Sequence, residues 1–429
     1  MGIVSHTSFE KLGVAVEITE ALAAAGITRP FAIQESTIPL ALDGKDIIGQ
    51  ARTGSGKTLS FGIPLLDRVF DDAALPELDG LPHALVLVPT RELAQQVGAE
   101  LEQAAANLPV RVATIVGGTP MEEQKKQLKR GVDVLIGTPG RIIDLYKQAA
   151  LSLDEIGIFV LDEADEMLDL GFIDDIEFLF GCLPEKRQTM LFSATMPGPI
   201  MSLARSFMHH PVRIQDDRQE QNTANKAVEQ IVFQAHAMDK LPVLELALQS
   251  RLTTKSIIFV RTKRQAAHLA QDLAKAGFSV AAVHGDLDQK ERESSLDAFR
   301  TSRVPILVAT DIAARGIDID DISHVFNYQV PDDAMTYIHR IGRTGRAGLK
   351  GISITMVGYD ELIRWQSIAE ELGLETNPPQ WFSTSPELFA ALDIPEGTQP
   401  TRGQARRVVG AKKIQAPRGR RPRRAVRRK

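Results

Sequence analysis

Short, almost wholly apolar runs punctuate the chain at 46–49, 84–88, 112–116, 134–136, 158–161 and 190–192, each followed at once by polar residues, Gly or Pro. Runs of this length without alternation are what strands buried on both faces look like. Between them, 91–106 and 121–129 carry apolar residues at helical spacing, and this order of elements predicts a parallel sheet covered on both sides. A second set begins at 256–260 and continues through 280–283, 306–309, 324–327 and 352–357, with helix-like segments such as 264–276 between them. Two α/β domains are therefore expected, at 36–214 and 227–376. The intervening 215–226, rich in Asp, Gln and Asn and without apolar periodicity, predicts a linker. No short sequence repeat relates the halves, so the duplication is one of architecture.

A length of 429 residues agrees with two or three domains. Apolar residues make up 43% and charged residues 24%, as in soluble globular proteins, and no stretch approaches the ~18 consecutive apolar residues of a membrane span. No contact with a membrane is expected. Cys182 stands alone, which excludes an internal disulfide or a cysteine zinc cluster and fits a reducing compartment. Residues 1–10 have neither the basic nor the apolar region of a secretory leader, so the expected location is cytoplasmic.

The formal charge of −5 hides an asymmetry. Of the 50 Lys and Arg, 13 fall in 402–429, which contains none of the 55 acids, so the rest of the chain carries −18 and this end +13. The whole of 377–429 is expected as a tail. From 402 onward, with Gly, Pro and Gln but no aromatic residue, it cannot bury enough surface to fold and is expected to be a disordered arm for a polyanion. Such an arm holds phosphates without reading bases. Trp381 and Phe382, in a Pro- and Ser-rich stretch, suit either stacking on a base or packing on the second domain.

Ala51-Arg52-Thr53-Gly54-Ser55-Gly56-Lys57-Thr58 follows the first run and precedes a helical stretch. In that context glycines let backbone N–H groups wrap phosphate oxygens, Lys57 can bridge β- and γ-phosphates, and the Thr58 hydroxyl can bind Mg²⁺. A second signal is the run at 158–161, which leads directly into Asp162-Glu163-Ala164-Asp165. Carboxylates then stand at the C-terminal end of a buried strand, where ligands of α/β sheets bind. Asp162 is the Mg²⁺ partner in this reading, and Glu163 orients and deprotonates the attacking water. A helix start favoured by its dipole explains Asp165 but not the acidic pair before it. Together the two motifs define a nucleoside triphosphatase.

These residues resemble the DEAD-box RNA helicase family, named for the one-letter reading of residues 162 to 165, and the resemblance spans about 9–374. The family's phosphate loop also begins with Ala. Its adenine-reading segment is matched within 7–35 by Gly26-Ile27-Thr28-Arg29-Pro30 leading to Ile33-Gln34, with Phe9 upstream. Nucleotide contacts are implied for Phe9, Arg29, Gln34, Arg52, Thr53, Gly54, Ser55, Gly56, Lys57 and Thr58, and a ribose contact for Asp318. A Gln34 carboxamide can donate to N7 and accept from the N6 amine of adenine, which guanine cannot satisfy, so ATP is implied over GTP. Ile27 puts an aliphatic contact where the family usually has Phe or Tyr.

Pro89-Thr90-Arg91-Glu92-Leu93, Gly117-Gly118 and Thr138-Pro139-Gly140-Arg141 are similar to the family's RNA-backbone motifs, which implies RNA contacts at Thr90, Arg91, Gly118, Thr138 and Arg141. Hydroxyls, amides and guanidinium groups suit phosphates and 2′-OH groups. Ser193-Ala194-Thr195 resembles the motif coupling hydrolysis to strand separation and puts Ser193 and Thr195 with the catalytic set. In the second domain, Ile258 to Thr262, His284-Gly285-Asp286 with Gln289 and Arg292, and Ala309 to Asp318 imply RNA contacts at Arg261, Gly285 and Thr310. His339 to Arg346 implies arginine fingers at Arg343 and Arg346, devices contributing about 10³ to 10⁵ in rate. Arg315 and Arg340 are read as holders of carboxylates.

The resemblance implies two tandem RecA-like domains, ATP with Mg²⁺, and single-stranded or short duplex RNA bound without sequence preference. Half the ATP site on each domain would make ATP and RNA favour one closed form, with local unwinding as the outcome. Ribosomal precursors and RNA-decay enzymes are the candidate partners, and a monomer is the expected state. Two other readings share this core: an ATP-gated RNA clamp without productive unwinding, and a DNA helicase or translocase.

Overall fold

The structure, a computed structural model, describes residues 7–51, 55–75, 78–215, 228–314, 321–345, 350–401, 403–404, 406 and 408–409. Arg52, Thr53, Gly54, residues 216–226 of the expected linker, Arg315, Asp318, Arg346 and 410–429 lie outside the described residues. Two compact units are present, the first chiefly Met1–Glu229 and the second chiefly Gln230–Ala313, Asp321–Thr344 and Gly351–Lys429.

In the first unit the strands β1 (Ile47–Gln50), β2 (Ala84–Leu87), β3 (Val112–Ile115), β4 (Val134–Gly137), β5 (Ile158–Leu161), β6 (Gln188–Ser193) and β7 (Val212–Gln215) form one sheet. Their order is β3-β4-β2-β5-β6-β1-β7 and every pairing is parallel. The apolar runs show no alternation because both faces are covered. Val86, Val134, Ile136 and Val160 face one core with Ile18, Phe61 and Leu101, while Leu85, Leu135, Phe159 and Leu161 face another with Ile142, Leu179 and Ile200. The strand at the phosphate loop starts one residue later than the sequence suggests, because Asp46 is a staple: its carboxylate accepts the N–H groups of Thr189 at 2.7 Å and His209 at 2.6 Å. The helices that carry chemistry are α1 (Ala32–Leu42), α2 (Lys57–Asp71), α3 (Arg91–Ala104), α4 (Met121–Lys129), α5 (Pro139–Lys147) and α6 (Ala164–Asp169).

The second unit holds β8 (Val228–Gln234), β9 (Ser256–Phe259), β10 (Val280–Val283), β11 (Ile306–Ala309), β12 (His324–Asn327) and β13 (Gly351–Val357), ordered β10-β11-β9-β12-β13-β8. One device starts a helix after the strand in both units. Thr90 caps α3 by accepting the Leu93 N–H at 3.3 Å, and Thr262 caps the helix Lys263–Lys275 by accepting the Gln265 N–H at 3.2 Å.

Beyond 376, part of the expected tail packs on the second unit. Trp381 stacks on Phe233 with ring centroids 5.0 Å apart, the helix Pro386–Ala391 follows, and Leu388, Leu392, Ile394 and Val408 join the second unit's core. Among the described residues, Arg406, Val408 and Val409 still make contacts with the second unit. The sequence conceals this because these apolar residues are irregularly spaced and need a preformed surface to cover. Among the described residues no helix is long and apolar enough to cross a membrane.

Candidate active site

Parallel strands deliver all their following loops to one edge of a sheet, and the strand order sorts those loops by chemistry. The neighbours β5, β6 and β1 end at Asp162-Glu163, Ser193-Ala194-Thr195 and the phosphate loop. The neighbours β3, β4 and β2 end at Gly117-Gly118, Thr138 to Arg141 and Thr90-Arg91. The two groups meet where Asp162 donates its N–H to the Leu87 carbonyl at 3.0 Å. In the second unit β10, β11 and β9 are likewise contiguous and end at Gly285, Thr310 and Arg261.

Gly56 holds the phosphate loop's exit in a left-handed conformation, φ +86°, and a Cβ there would lie 2.6 Å from Gln34 Nε2 and 2.7 Å from the Phe31 ring. Only glycine fits. The buried Gln34 donates from Nε2 to the Gly56 carbonyl at 3.0 Å and accepts the Phe31 N–H on Oε1 at 2.8 Å. These backbone partners fix the amide's orientation and leave one N–H and one acceptor position for a ligand. Phe31, 61% exposed beside Gly56, presents an aromatic face that the sequence reading missed; its signal was its place between Pro30 and Gln34. Phe9 is 3% exposed and packed in the first unit's core. Arg29 is exposed and Thr58 half-buried in the first turn of α2.

Lys57 is buried, with Nζ 2.9 Å from Glu163 Oε1. Burial works against its charge, but Glu163, Asp162 and Asp165 outweigh it and raise its pKa. Asp162 is pushed up to about 7, by burial first, with Lys57 opposing and Glu163 reinforcing. Glu163 itself is held at φ 53°, ψ 52°, a left-handed conformation costing a non-glycine residue about 1–3 kcal/mol. That backbone turn separates the tasks of the quartet. The Glu163 N–H caps Asp162 Oδ1 at 3.0 Å, while Asp165 turns away toward β6. Asp165 accepts the Thr195 N–H and hydroxyl, both at 2.8 Å, and its own N–H donates to Ser193 Oγ at 3.1 Å. Ser193 and Thr195, grouped with catalytic residues by sequence, are thus both bonded to Asp165.

The donor set fits a nucleotide with Mg²⁺. The buried Asp162 carboxylate has Lys57 as a shared counter-charge, and Ser55 Oγ is buried with no hydrogen-bond partner. Among the described residues no group of three or more His, Cys, Asp or Glu could hold a metal by itself, and Mg²⁺ held through phosphates needs none.

On the RNA side, Gly118 (φ +81°) lies so close to the Arg91 guanidinium that a Cβ would meet Nη1 at 2.0 Å. Arg141 Nη1 donates to the Thr119 carbonyl at 3.1 Å and to Gln124 Oε1 at 2.7 Å, while Gln124 Nε2 donates to the Val116 carbonyl at 2.8 Å. Gln124, buried on α4, therefore brackets two RNA motifs together. Sequence reasoning missed it; its signal was an amide in the helix just after Gly117-Gly118. Arg141 makes these bonds through Nη1, leaving Nη2 and Nε as donors. Thr138 begins α5 without a side-chain cap.

In the second unit Gly285 is exposed, Thr310 buried, and Arg261 pairs with Asp332 at 3.1 Å. The fully buried Arg340 grips Asp311 with two bonds at 2.5 and 2.7 Å and donates to Asn327 Oδ1 at 3.1 Å and the Gln329 carbonyl at 2.8 Å. It fixes the short helix Asp311–Ala314 that follows Thr310. Arg343 follows in the next turn, half-buried.

Residues 31–203 match the family model described as DEAD/DEAH box helicase, and 238–348 match the helicase conserved C-terminal domain. The ATP-dependent RNA helicase CshA of Listeria monocytogenes is 41% identical over 384 residues, covering 90% of this chain and 72% of that protein. The DEAD-box ATP-dependent RNA helicase CshA of Geobacillus kaustophilus is 44% identical over 357 residues, 83% of this chain and 74% of its own. A structure of S. cerevisiae Dbp5 bound to RNA and ADP BeF3 matches with a TM-score of 0.78 at 32% identity, covering 90% of this chain and 98% of that one. With both helicase domains matched in order on the two sheets described above, the chain belongs to the DEAD-box family of ATP-dependent RNA helicases, enzymes that hydrolyse ATP.

Proposed function

We propose that this helicase grips single-stranded RNA on Thr90, Arg91, Gly118, Thr138 and Arg141 of the first unit and Arg261, Gly285 and Thr310 of the second, and opens short duplexes locally as it turns over ATP. The observation that carries this reading is the division of one sheet into three adjacent nucleotide strands and three adjacent RNA strands, joined at Asp162 and Leu87. The Dbp5 structure, which holds RNA and ADP BeF3, supports assigning both ligands to one core.

Gln34 reads adenine with its remaining donor and acceptor, and Phe31 offers its exposed face to the base. Ser55, Gly56 and Lys57, with Arg52, Thr53 and Gly54, take the phosphates, and Asp318 takes the ribose. Thr58 and Asp162 would hold Mg²⁺, which supplies positive charge to the phosphate oxygens. As phosphates arrive, Lys57 exchanges one anionic partner, Glu163, for another, and the freed carboxylate orients the attacking water and accepts its proton. Arg343 and Arg346 stabilise charge developing on the transferred phosphoryl group. The same reading places a monomer in the cytoplasm, with ribosomal precursors and RNA-decay enzymes as candidate partners.

A strand-displacement assay tests the proposal. A short RNA duplex with a single-stranded overhang is expected to separate with ATP and Mg²⁺ and to stay paired with GTP or without Mg²⁺. Tight binding of the duplex with ATP turnover but no strand release would make the protein a clamp.

A further inference from the structure

Two consecutive acids, Asp332 and Asp333, follow β12 and Pro331, and they have different partners. Asp333 caps the helix Ala334–Ile341, accepting the Thr336 N–H at 2.7 Å and its hydroxyl at 2.9 Å. The helix start therefore needs nothing from Asp332. Asp332 reaches back to the end of β9, where its Oδ1 lies 3.1 Å from Arg261 Nη2 and 3.7 Å from Nε of Arg364, in the helix Leu362–Leu372. One carboxylate oxygen is thus shared by two guanidinium groups. All three side chains are open to water, Asp332 at 69%, Arg261 at 35% and Arg364 at 32%.

The backbone beneath this pair is held separately. The Arg261 N–H donates to Gln329 Oε1 at 3.0 Å, the Val330 N–H donates to Glu361 Oε1 at 3.1 Å, and the Tyr328 carbonyl accepts Lys240 Nζ at 2.9 Å. A buried ion pair of 2.7 Å between Lys240 and Glu361 ties the last two together. With the main chain fixed on both sides, the contact between Arg261 and Asp332 can open by side-chain rotation alone. An exposed ion pair of this kind shifts an equilibrium by no more than about fivefold. A phosphodiester competes well for such an arginine, because its oxygens match the guanidinium fork and the neighbouring phosphates of the strand add to the field.

We propose that Asp332 stands in for an RNA phosphate: it holds Arg261 in the free protein, yields it when single-stranded RNA arrives, and keeps Arg364 as its counter-charge while RNA is bound. Asp332 thereby sets how strongly the second unit holds RNA, and its return to Arg261 favours release. The proposal rests on the RNA reading of Arg261 given above. It parallels the exchange at Lys57, where a phosphate replaces the Glu163 carboxylate. Neutralising Asp332 removes a competitor and tightens RNA binding, whereas loss of a residue that merely aimed Arg261 would weaken it. Removing Arg364 leaves Asp332 with Arg261 as the remaining member of the trio, so Asp332 holds it harder and RNA binding weakens, but only while Asp332 is charged.

The experiment measures binding of a short single-stranded RNA by fluorescence anisotropy, in ADP–BeF₃ and Mg²⁺ at low and high salt, with the full chain throughout. The proteins are the wild type, Arg261→Met, Asp332→Asn, Arg364→Met, and Asp332→Asn combined with each of the other two. Asp332→Asn is expected to bind about two- to fivefold tighter at low salt, with the gain fading at high salt as exposed charges are screened. Arg364→Met is expected to bind about twofold weaker on its own and to change nothing once Asp332 is Asn, the coupling expected of residues that act through one another. In Arg261→Met the Asp332→Asn gain should largely vanish. Unchanged or weaker binding by Asp332→Asn, or a gain indifferent to salt, would overturn the proposal. So would an equal gain in Arg261→Met, which would make Asp332 a general repulsive charge. An Arg364→Met loss of the same size with and without Asp332, or no loss in either, would overturn the exchange with Arg364. Wild-type affinity in Arg261→Met would instead sink the RNA reading of Arg261 itself, an outcome separable from the others.

Discussion

Glu163→Gln is expected to bind ATP and RNA within about threefold of the wild type and to turn ATP over about 10² to 10⁴ times more slowly, the usual contribution of a positioned general base. The substitution is nearly isosteric. It keeps an acceptor oxygen for Lys57, whose Nζ sits 2.9 Å from Glu163 Oε1, and it leaves the N–H that caps Asp162. What it removes is the ability to take a proton from water. A single-turnover measurement with labelled ATP, alongside equilibrium binding of a fluorescent ATP analogue, separates these effects. Turnover within tenfold of the wild type would move the base elsewhere. Loss of nucleotide binding would instead show that the left-handed backbone at residue 163 depends on the glutamate.

Arg340→Met is expected to destabilise the second unit by about 3 kcal/mol, the lower end of the cost of breaking a buried ion pair. The lower end applies because the Asp311 side chain retains 25% exposure, so water can recover part of its solvation. The loss extends beyond one charge pair, since the fork also satisfies Asn327 and the Gln329 carbonyl. Arg340→Lys restores the charge without the fork and is expected to recover only part of the loss. At roughly 2–4 °C per kcal/mol for a unit of this size, calorimetry should show the second unit's transition about 6–12 °C lower in Arg340→Met. RNA affinity should fall with it, because Asp311 directly follows Thr310. A shift under 2 °C would mean that the network holds nothing together.

The legible parts of the fold were those that buried both faces. Ile158–Leu161 has no polar position, so the strand and the acidic turn after it were readable together. β7 and β8 were not, because exposed positions such as Arg213 and Glu229 interrupt the apolar run at the sheet margins. The segment from Trp381 to Val409 was hidden for another reason: Leu388, Leu392 and Val408 have no period of their own and fold only against a completed second unit. Within the site, residue types were legible and their partners were not. Gln34 and Lys57 announced themselves by motif. The buried ring of Phe9 and the grip of Asp165 on Thr195 depend on contacts between segments distant in sequence, which no local pattern encodes, while Phe31 and Gln124 left only a faint local signal.

The joining of nucleotide and RNA strands within one sheet predicts coupling, and linkage requires it to be reciprocal: if RNA tightens ATP binding, ATP tightens RNA binding by the same factor. Steady-state ATP hydrolysis without nucleic acid, with single-stranded RNA, and with DNA of the same sequence tests this most directly, with Glu163→Gln as the blank. The account predicts slow basal turnover that RNA stimulates strongly and DNA does not. Equal stimulation by DNA, or none by either, would contradict it.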